Sequence, residues 1–372
     1  MHEKDFSLSK NGLSERQRKH ALDEFKKYIS KQRSNFLGFQ ANQKLDYKSD
    51  TADFLDCSIN NLGDPFESGS FTVNSKIIEI EVLKYYAELW NLGQTDSTDA
   101  WWGYVSSAGC TEVNVYGLWN GRDYLAGKFE MYPTSEDAKR ASLAPVQTKI
   151  PYEPQIRRVS KAYRESDENI NRFSPVLFCS ESTHYSVKKA ADVLRIKTFT
   201  KIGEEKFPNE CPLPDAEGHW PKNVPCNIDG SINIDALAIL VEFFAEKNYP
   251  ILINFNYGTT FSGAYDDVEA AGKKLIPIFK KYGLFERKVP NPLNSDKLET
   301  RTGVWFHVDG ALGAAYMPFI QMAYENGMID KTGPKFDFQL DYVHSISMSG
   351  HKWIGAPFPC GIYMTKLDFI QF

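Results

Sequence analysis

Ser349-Gly350-His351-Lys352 follows the largely apolar run Tyr342–Met348, and His307-Val308-Asp309-Gly310-Ala311 lies upstream of it, after Val304-Trp305-Phe306. Both runs are short, rich in β-branched, aromatic or sulfur side chains, and closed by small residues, which predicts buried strands ending at Asp309 and near Ser349. A carboxylate at the end of a buried strand needs a cationic partner. Lys352 is followed directly by Trp353-Ile354-Gly355-Ala356-Pro357, a context that argues against an ordinary surface lysine. An acid and an amine thus close two strands of what reads as one sheet, and that pairing decides the fold.

Working outward, helices and strands alternate. Residues 15–33 read as an amphipathic helix, with Ala21, Leu22, Phe25, Tyr28 and Ile29 at helical spacing, and a second helix covers about 76–90. Gly103–Ser106 reads as a strand end and Thr111–Leu125 as a helix. Strands are then expected at Pro175–Ser180, Ile251–Asn256, Val304–Asp309 and Tyr342–Met348, with helices at Tyr185–Leu194, Ile234–Lys247 and Asp266–Lys281. Such alternation predicts an α/β fold with a mainly parallel sheet covered by helices on both faces, and ligands of such sheets gather at the carboxyl ends of the strands. The expected division is an N-terminal helical arm and segment over 1–100 and a large α/β domain over 101–372. Three stretches interrupt the rhythm as insertions: 126–172, long and charged; 206–227, rich in proline; and 285–302, polar.

With 372 residues the chain can bury a large core, and 42% apolar with 24% charged residues is ordinary for a globular protein. A formal charge of -5 argues against a general nucleic-acid binder, and no apolar run is long enough to span a bilayer. The start, Met1-His2-Glu3-Lys4-Asp5, does not read as a signal peptide, and the six cysteines are scattered without a Cys-x-x-Cys pair, so a cytoplasmic setting with reduced thiols is expected. Cys211, His219 and Cys226 share one loop, but their spacing fits no zinc pattern, and no metal is expected.

Three further stretches fall at strand ends. Tyr104-Val105-Ser106-Ser107-Ala108-Gly109-Cys110-Thr111-Glu112 ends a strand in small residues and opens a helix, so backbone N–H groups and the helix dipole face one spot that suits a phosphate dianion. Small residues also make plain strand-to-helix turns. In Ser180-Glu181-Ser182-Thr183-His184-Tyr185-Ser186 the histidine is placed either to lie on a cofactor ring or to cap the next helix. Gly258-Thr259-Thr260-Phe261-Ser262-Gly263-Ala264 brings two hydroxyls to the sheet edge, for a ring oxygen or for a turn. Taken in order, a phosphate-type loop, a stacking histidine, an acid and a lysine are what pyridoxal phosphate needs. The amine forms a Schiff base with the aldehyde, and the acid keeps the pyridine nitrogen protonated so that the ring accepts electrons.

The chain resembles the PLP-dependent group II amino acid decarboxylases, with the bacterial PLP-type histidine decarboxylases as the nearest likeness. The resemblance rests on Ser58-Ile59-Asn60-Asn61-Leu62-Gly63-Asp64, Gly109-Cys110-Thr111-Glu112-Val113-Asn114, Thr183-His184-Tyr185-Ser186, Gly258-Thr259-Thr260, His307-Val308-Asp309-Gly310-Ala311-Leu312 and Ser349-Gly350-His351-Lys352, followed by Ile354-Gly355 and Pro359-Cys360-Gly361. It implies a fold-type I, aminotransferase-like architecture working as a homodimer with pyridoxal 5'-phosphate. By the same likeness Lys352 is the Schiff-base lysine, Asp309 the pyridinium partner and His184 the ring-stacking residue near the substrate, with Asn60 also on the substrate side. Gly109, Cys110, Thr111, Ser349 and His351 fall at phosphate-loop positions, and Thr260 and Ala311 flank the ring.

Cys110 stands where the family has a second glycine, which predicts a narrower phosphate loop. Members of the family continue with a small C-terminal domain and a mobile catalytic loop, so a chain ending at Phe372, soon after Lys352, reads as a fragment.

The activity implied is decarboxylation of an L-amino acid to a primary amine and carbon dioxide. Histidine leads as substrate, with branched aliphatic or aromatic amino acids as alternatives. Transamination and cysteine desulfuration are the enzymatic rivals, and a truncated non-catalytic paralogue is the rival of another class.

Overall fold

The computed structural model describes residues 6–7, 10–36, 45–61, 63–66, 71–92, 101–128, 171–291 and 294–370, with the side chains of 290–297 left aside. Most of the insertion expected over 126–172 lies outside the described residues. By contact the chain divides into residues 1–41 and 42–372. The first unit holds α1 (Glu15–Ser34), opened by a capping box in which Ser14 Oγ accepts from Gln17 N while the Gln17 side chain reaches back to Ser14 N. Leu22, Phe25, Tyr28 and Ile29 stand exposed along it.

The second unit carries the sheet. In chain order its elements are α2 (Lys48–Thr51), α3 (Lys76–Leu89), β1 (Trp101–Ser106), α4 (Cys110–Leu125), β2 (Val176–Phe178), α5 (Tyr185–Val193), β3 (Lys197–Thr198), α6 (Phe199–Lys206), α7 (Ile234–Glu246), β4 (Ile251–Asn256), α8 (Val268–Lys281), β5 (Arg287–Asn291), β6 (Asn294–Arg301), β7 (Val304–Asp309), α9 (Met317–Glu325), β8 (Ser345–Ser349) and β9 (Gly361–Lys366). Seven strands form one sheet in the order β1-β9-β8-β7-β4-β2-β3. The pairings β3–β2, β2–β4, β4–β7 and β7–β8 are parallel. β9 runs antiparallel to both its neighbours, and its Gly361 pairs with Ser349 on one side and Ser106 on the other. The mainly parallel α/β sheet read from the alternation is therefore present.

Period-two alternation sorts the strands between two cores. Ile251, Ile253 and Phe255 of β4, with Val304, Phe306 and Val308 of β7, pack with Leu237, Val241 and Phe244 of α7 and with Leu275 and Phe279 of α8. Leu252 and Trp305 face the other way, against Leu118 and Leu125 of α4 and Val187 of α5. Each fully buried Leu, Ile or Phe contributes roughly 1.5–3 kcal/mol relative to exposure. The same alternation sends His307 and Asp309 to the α4 face with Trp305. α4 approaches closely there because it presents glycines: a Cβ on Gly117 would stand 2.3 Å from the His307 ring, and one on Gly121 would stand 2.8 Å from Trp305.

Two expectations shift. The strand expected over Tyr342–Met348 begins at Ser345, because Val343 N closes a turn onto Leu340 O at 2.8 Å. The polar stretch 285–302 forms an antiparallel hairpin, β5–β6, with Arg287 opposite Arg301 and Val289 opposite Glu299. Among the described residues no helix is long and apolar enough to cross a membrane.

Candidate active site

Asp309 ends β7 at the carboxyl edge of the sheet, 5% exposed, and its two oxygens are held from different sides. Asn114 Nδ2 donates to Oδ2 at 2.8 Å, and Ala311 N donates to Oδ1 at 3.2 Å. Cys110 Sγ lies 3.7 Å from Oδ1 and 3.5 Å from Ser347 Oγ. The Cys110 side chain therefore turns inward onto the acid. Burial pushes its thiol well up, the Asp309 charge adds to this, and the Ser347 hydroxyl and Lys352 ammonium oppose it.

The phosphate-type loop sits where β1 turns into α4. Gly109 takes φ +78°, the left-handed region, and a Cβ there would meet the His351 ring at 2.8 Å. His351 is fixed against the loop by Cys360, whose carbonyl lies 3.0 Å from Nδ1. Thr111 lies in the first turn of α4 with its side chain exposed, and among the described residues Ser349 Oγ is fully buried with no hydrogen-bond partner. An orphaned buried hydroxyl beside the N-terminus of a long helix and a side-chain-free glycine are what an anionic group would complete. Pyridoxal phosphate fits this donor set, with the Asp309 carboxylate deeper in the sheet for its ring.

His184 caps α5 after the turn that follows β2, its Nδ1 accepting from Ser186 N at 3.3 Å and lying 2.8 Å from Ser186 Oγ. The capping reading of this histidine is the one the geometry shows, and capping fixes the ring at the strand edge. Burial holds its imidazole below the ordinary value, opposed by Asp309 and aided by Lys352. Lys352 is half-buried at the end of the β8 turn, and its charge reaches both His184 and Cys110. Phosphate loop, acid, histidine and lysine therefore converge at one edge of the sheet.

The two threonines divide their roles. Thr259 Oγ1 accepts from Ala264 N at 3.0 Å and shapes the turn, while Thr260 is exposed. Ala311 is half-buried two residues past Asp309. Asn60 is exposed in a segment tied to α3: Asn61 Oδ1 accepts from Ser75 N at 2.7 Å, and Asn61 Nδ2 donates to Glu79 Oε2 at 2.8 Å. Glu79 Oε1 in turn accepts from Val105 N of β1 at 2.8 Å. Among the described residues no side-chain hydrogen bond joins Asn60 to Lys352, His184 or Asp309.

Sequence reasoning did not single out Asn114, Ser186, His307, Ser345 or Ser347, which surround the acid. One signal was available for Asn114: it stands one helical turn beyond Cys110 and so shares its face.

Comparison with known proteins gives the following. Residues 141–368 match the pyridoxal-dependent decarboxylase conserved domain. Serine decarboxylase 2 of Oryza sativa subsp. japonica is 28% identical over 335 residues, covering 90% of this chain and 48% of that protein. Histidine decarboxylase of Vibrio campbellii is 28% identical over 350 residues, covering 94% of this chain and 63% of that protein. The chain thus spans about half to two thirds of the length of these curated relatives. The solved structure of L-methionine decarboxylase from Streptomyces sp.590 superposes with a TM-score of 0.85 at 41% identity, covering 99% of this chain and 71% of that one.

Proposed function

The chain belongs to the pyridoxal-dependent decarboxylase family, and on that footing we propose that it forms the cofactor-bearing part of an enzyme that converts an L-amino acid to a primary amine and carbon dioxide. The observation that carries this reading is the convergence of Asp309, His184, Lys352 and the Gly109 loop at the carboxyl edge of β7, β2, β8 and β1. When bound, pyridoxal phosphate supplies an aldehyde for amine capture and an electron-accepting ring.

The chain's own residues divide the remaining work. The α4 N-terminus with Thr111, Ser349 and His351 holds the dianion. Asp309 places a fixed negative charge, held by Asn114 and Ala311, where a ring nitrogen must keep its proton. Lys352 Nζ would be the amine that holds the cofactor through its aldehyde. His184 would pack against the cofactor ring and, with Asn60 and Thr260 at the rim, would orient the substrate. The assembly proposed is a homodimer.

For the substrate, 41% identity to a methionine decarboxylase, against 28% to the serine and histidine enzymes, weights the choice toward an unbranched, uncharged side chain such as that of methionine. Histidine, favoured by motif likeness alone, is the second reading. The test is an assay of the protein with pyridoxal phosphate against methionine, histidine, serine, leucine, valine and phenylalanine, scoring amine and carbon dioxide. Methionine turnover is expected. Turnover of histidine alone reverses the substrate choice, and release of a keto acid without carbon dioxide replaces the reading with transamination.

A further inference from the structure

We propose that Asn114 is a positioning residue that joins Asp309 to His184 and, through Ser186, fixes the proton of the His184 ring on Nε2. The inference deepens the decarboxylase reading and rests on it for the roles of Asp309 and His184; the network itself does not depend on that reading.

A carboxamide has two N–H donors and an oxygen that accepts twice. Asn114, 1% exposed, uses all four. Its Nδ2 donates to Asp309 Oδ2 at 2.8 Å and to Ser186 Oγ at 3.1 Å. Its Oδ1 accepts from Ser347 Oγ at 2.5 Å and faces His307 Nε2 at 3.2 Å. The opposite amide orientation would press the carboxamide oxygen against a carboxylate, so the direction of every bond follows.

Ser186 N donates to His184 Nδ1 at 3.3 Å, so that nitrogen carries no hydrogen of its own. The Ser186 hydroxyl, which accepts from Asn114, turns its hydrogen to the same nitrogen 2.8 Å away. The neutral ring then carries its hydrogen on Nε2. The other branch agrees. His307 Nδ1 stands 2.8 Å from Ser345 Oγ, and burial lowers His307 to about 4, so this ring is neutral and has one proton to give, to Asn114 Oδ1. Ser186, His307, Ser345 and Ser347 are fully buried, so no solvent competes for these bonds. The consequence for the site is a defined N–H donor on His184 and an acid whose orientation is tied to it through one side chain.

The network is tested by 15N NMR of the full chain labelled at histidine, without and with pyridoxal phosphate, with His184 assigned from His184→Gln. The expected result is an unprotonated Nδ1 and a protonated Nε2. Ser186→Ala should raise the His184 pKa, since a donor to its lone pair is lost, and should mix the tautomers; Ser186→Thr, which keeps the hydroxyl, should restore both. Asn114→Ala should lower kcat roughly 10-fold or more with little change in KM, and should weaken pyridoxal phosphate binding measured by absorbance titration. If Asn114→Ala does not fold, the Ser186 pair decides alone. A proton found on Nδ1, or a His184 spectrum unchanged by Ser186→Ala, overturns the inference. If no amino acid is decarboxylated while the NMR result holds, it is the functional reading that fails and the network stands.

Discussion

The floor and the rim of the site are built by opposite rules. On the floor, Asp309, Asn114, His307, Ser345 and Ser347 are buried and bonded to one another, on strands and a helix whose apolar neighbours lock them. On the rim, Thr111, Thr260, Tyr185, Phe261, Trp353 and Phe358 are exposed, on turns or at helix starts. The floor therefore has its geometry fixed by its own hydrogen bonds, whereas the rim side chains stand open to solvent. On the proposed function, the chemistry common to many amino acids falls to the first region and, Thr111 apart, the choice among them to the second. Preorganisation of this kind is where electrostatic catalysis is strongest.

The contrast breaks at once if the amine is dispensable. Lys352→Ala is expected to lose at least ~10³-fold in kcat/KM, with no cofactor label retained after borohydride treatment. Asp309→Asn keeps the size of the floor but not its charge, and should cost on the order of 10²–10³-fold in kcat while the cofactor still binds, as read by absorbance.

Acid probes the buried titratable groups of the floor and of the core around it. Burial lowers His307 to about 4 and His344 to about 3, so an unfolded chain takes up protons near 6.5 before the folded one does. These two histidines contribute stability above that pH, on the order of 3 kcal/mol each, and lose it as pH falls toward 4. Asp266 works against them. Burial raises it to about 6, so its contribution is present below the ordinary carboxylate range and is lost as pH rises through 6. Melting temperatures should fall from pH 6.5 to 4, and Asp266→Asn should steepen the fall; a flat profile would refute neutral buried imidazoles. Gly117→Ala, which crowds His307, should cost about 1–3 kcal/mol in a denaturant titration. Thr260→Val sharpens the contrast from the other side: a rim hydroxyl should change kcat/KM by roughly 5-fold or less.

What could be read from the chain follows the same division. β4 and β7 are buried along their full length and appear as nearly unbroken apolar runs, so strand ends, and with them Asp309, were visible by pattern. Lys352 and His184 sat in short motifs tied to such ends. The β5–β6 hairpin was hidden because its strands are polar, without the apolar period that betrays a core strand. Asn114 was named only as the last letter of a motif, since its meaning depends on partners from β7, β8 and α5 that no local pattern brings together. Thr259 and Thr260 are adjacent and chemically alike, and only the fold turns one into the turn and the other outward.

The antiparallel return of β9 has a mechanical consequence. Gly361 is the crosspiece between β8, which leads to Lys352, and β1, which leads to the Gly109 loop, and a Cβ there would lie 2.7 Å from the Gly109 carbonyl. Sliding β8 by a residue means tearing its ladders to β9 and β7 at once, and sliding β1 means tearing its six-residue ladder to β9. The turn that carries Lys352 and the loop that carries Gly109 are therefore anchored to opposite edges of one strand, and a shift of either has to disturb the pairing of Gly361.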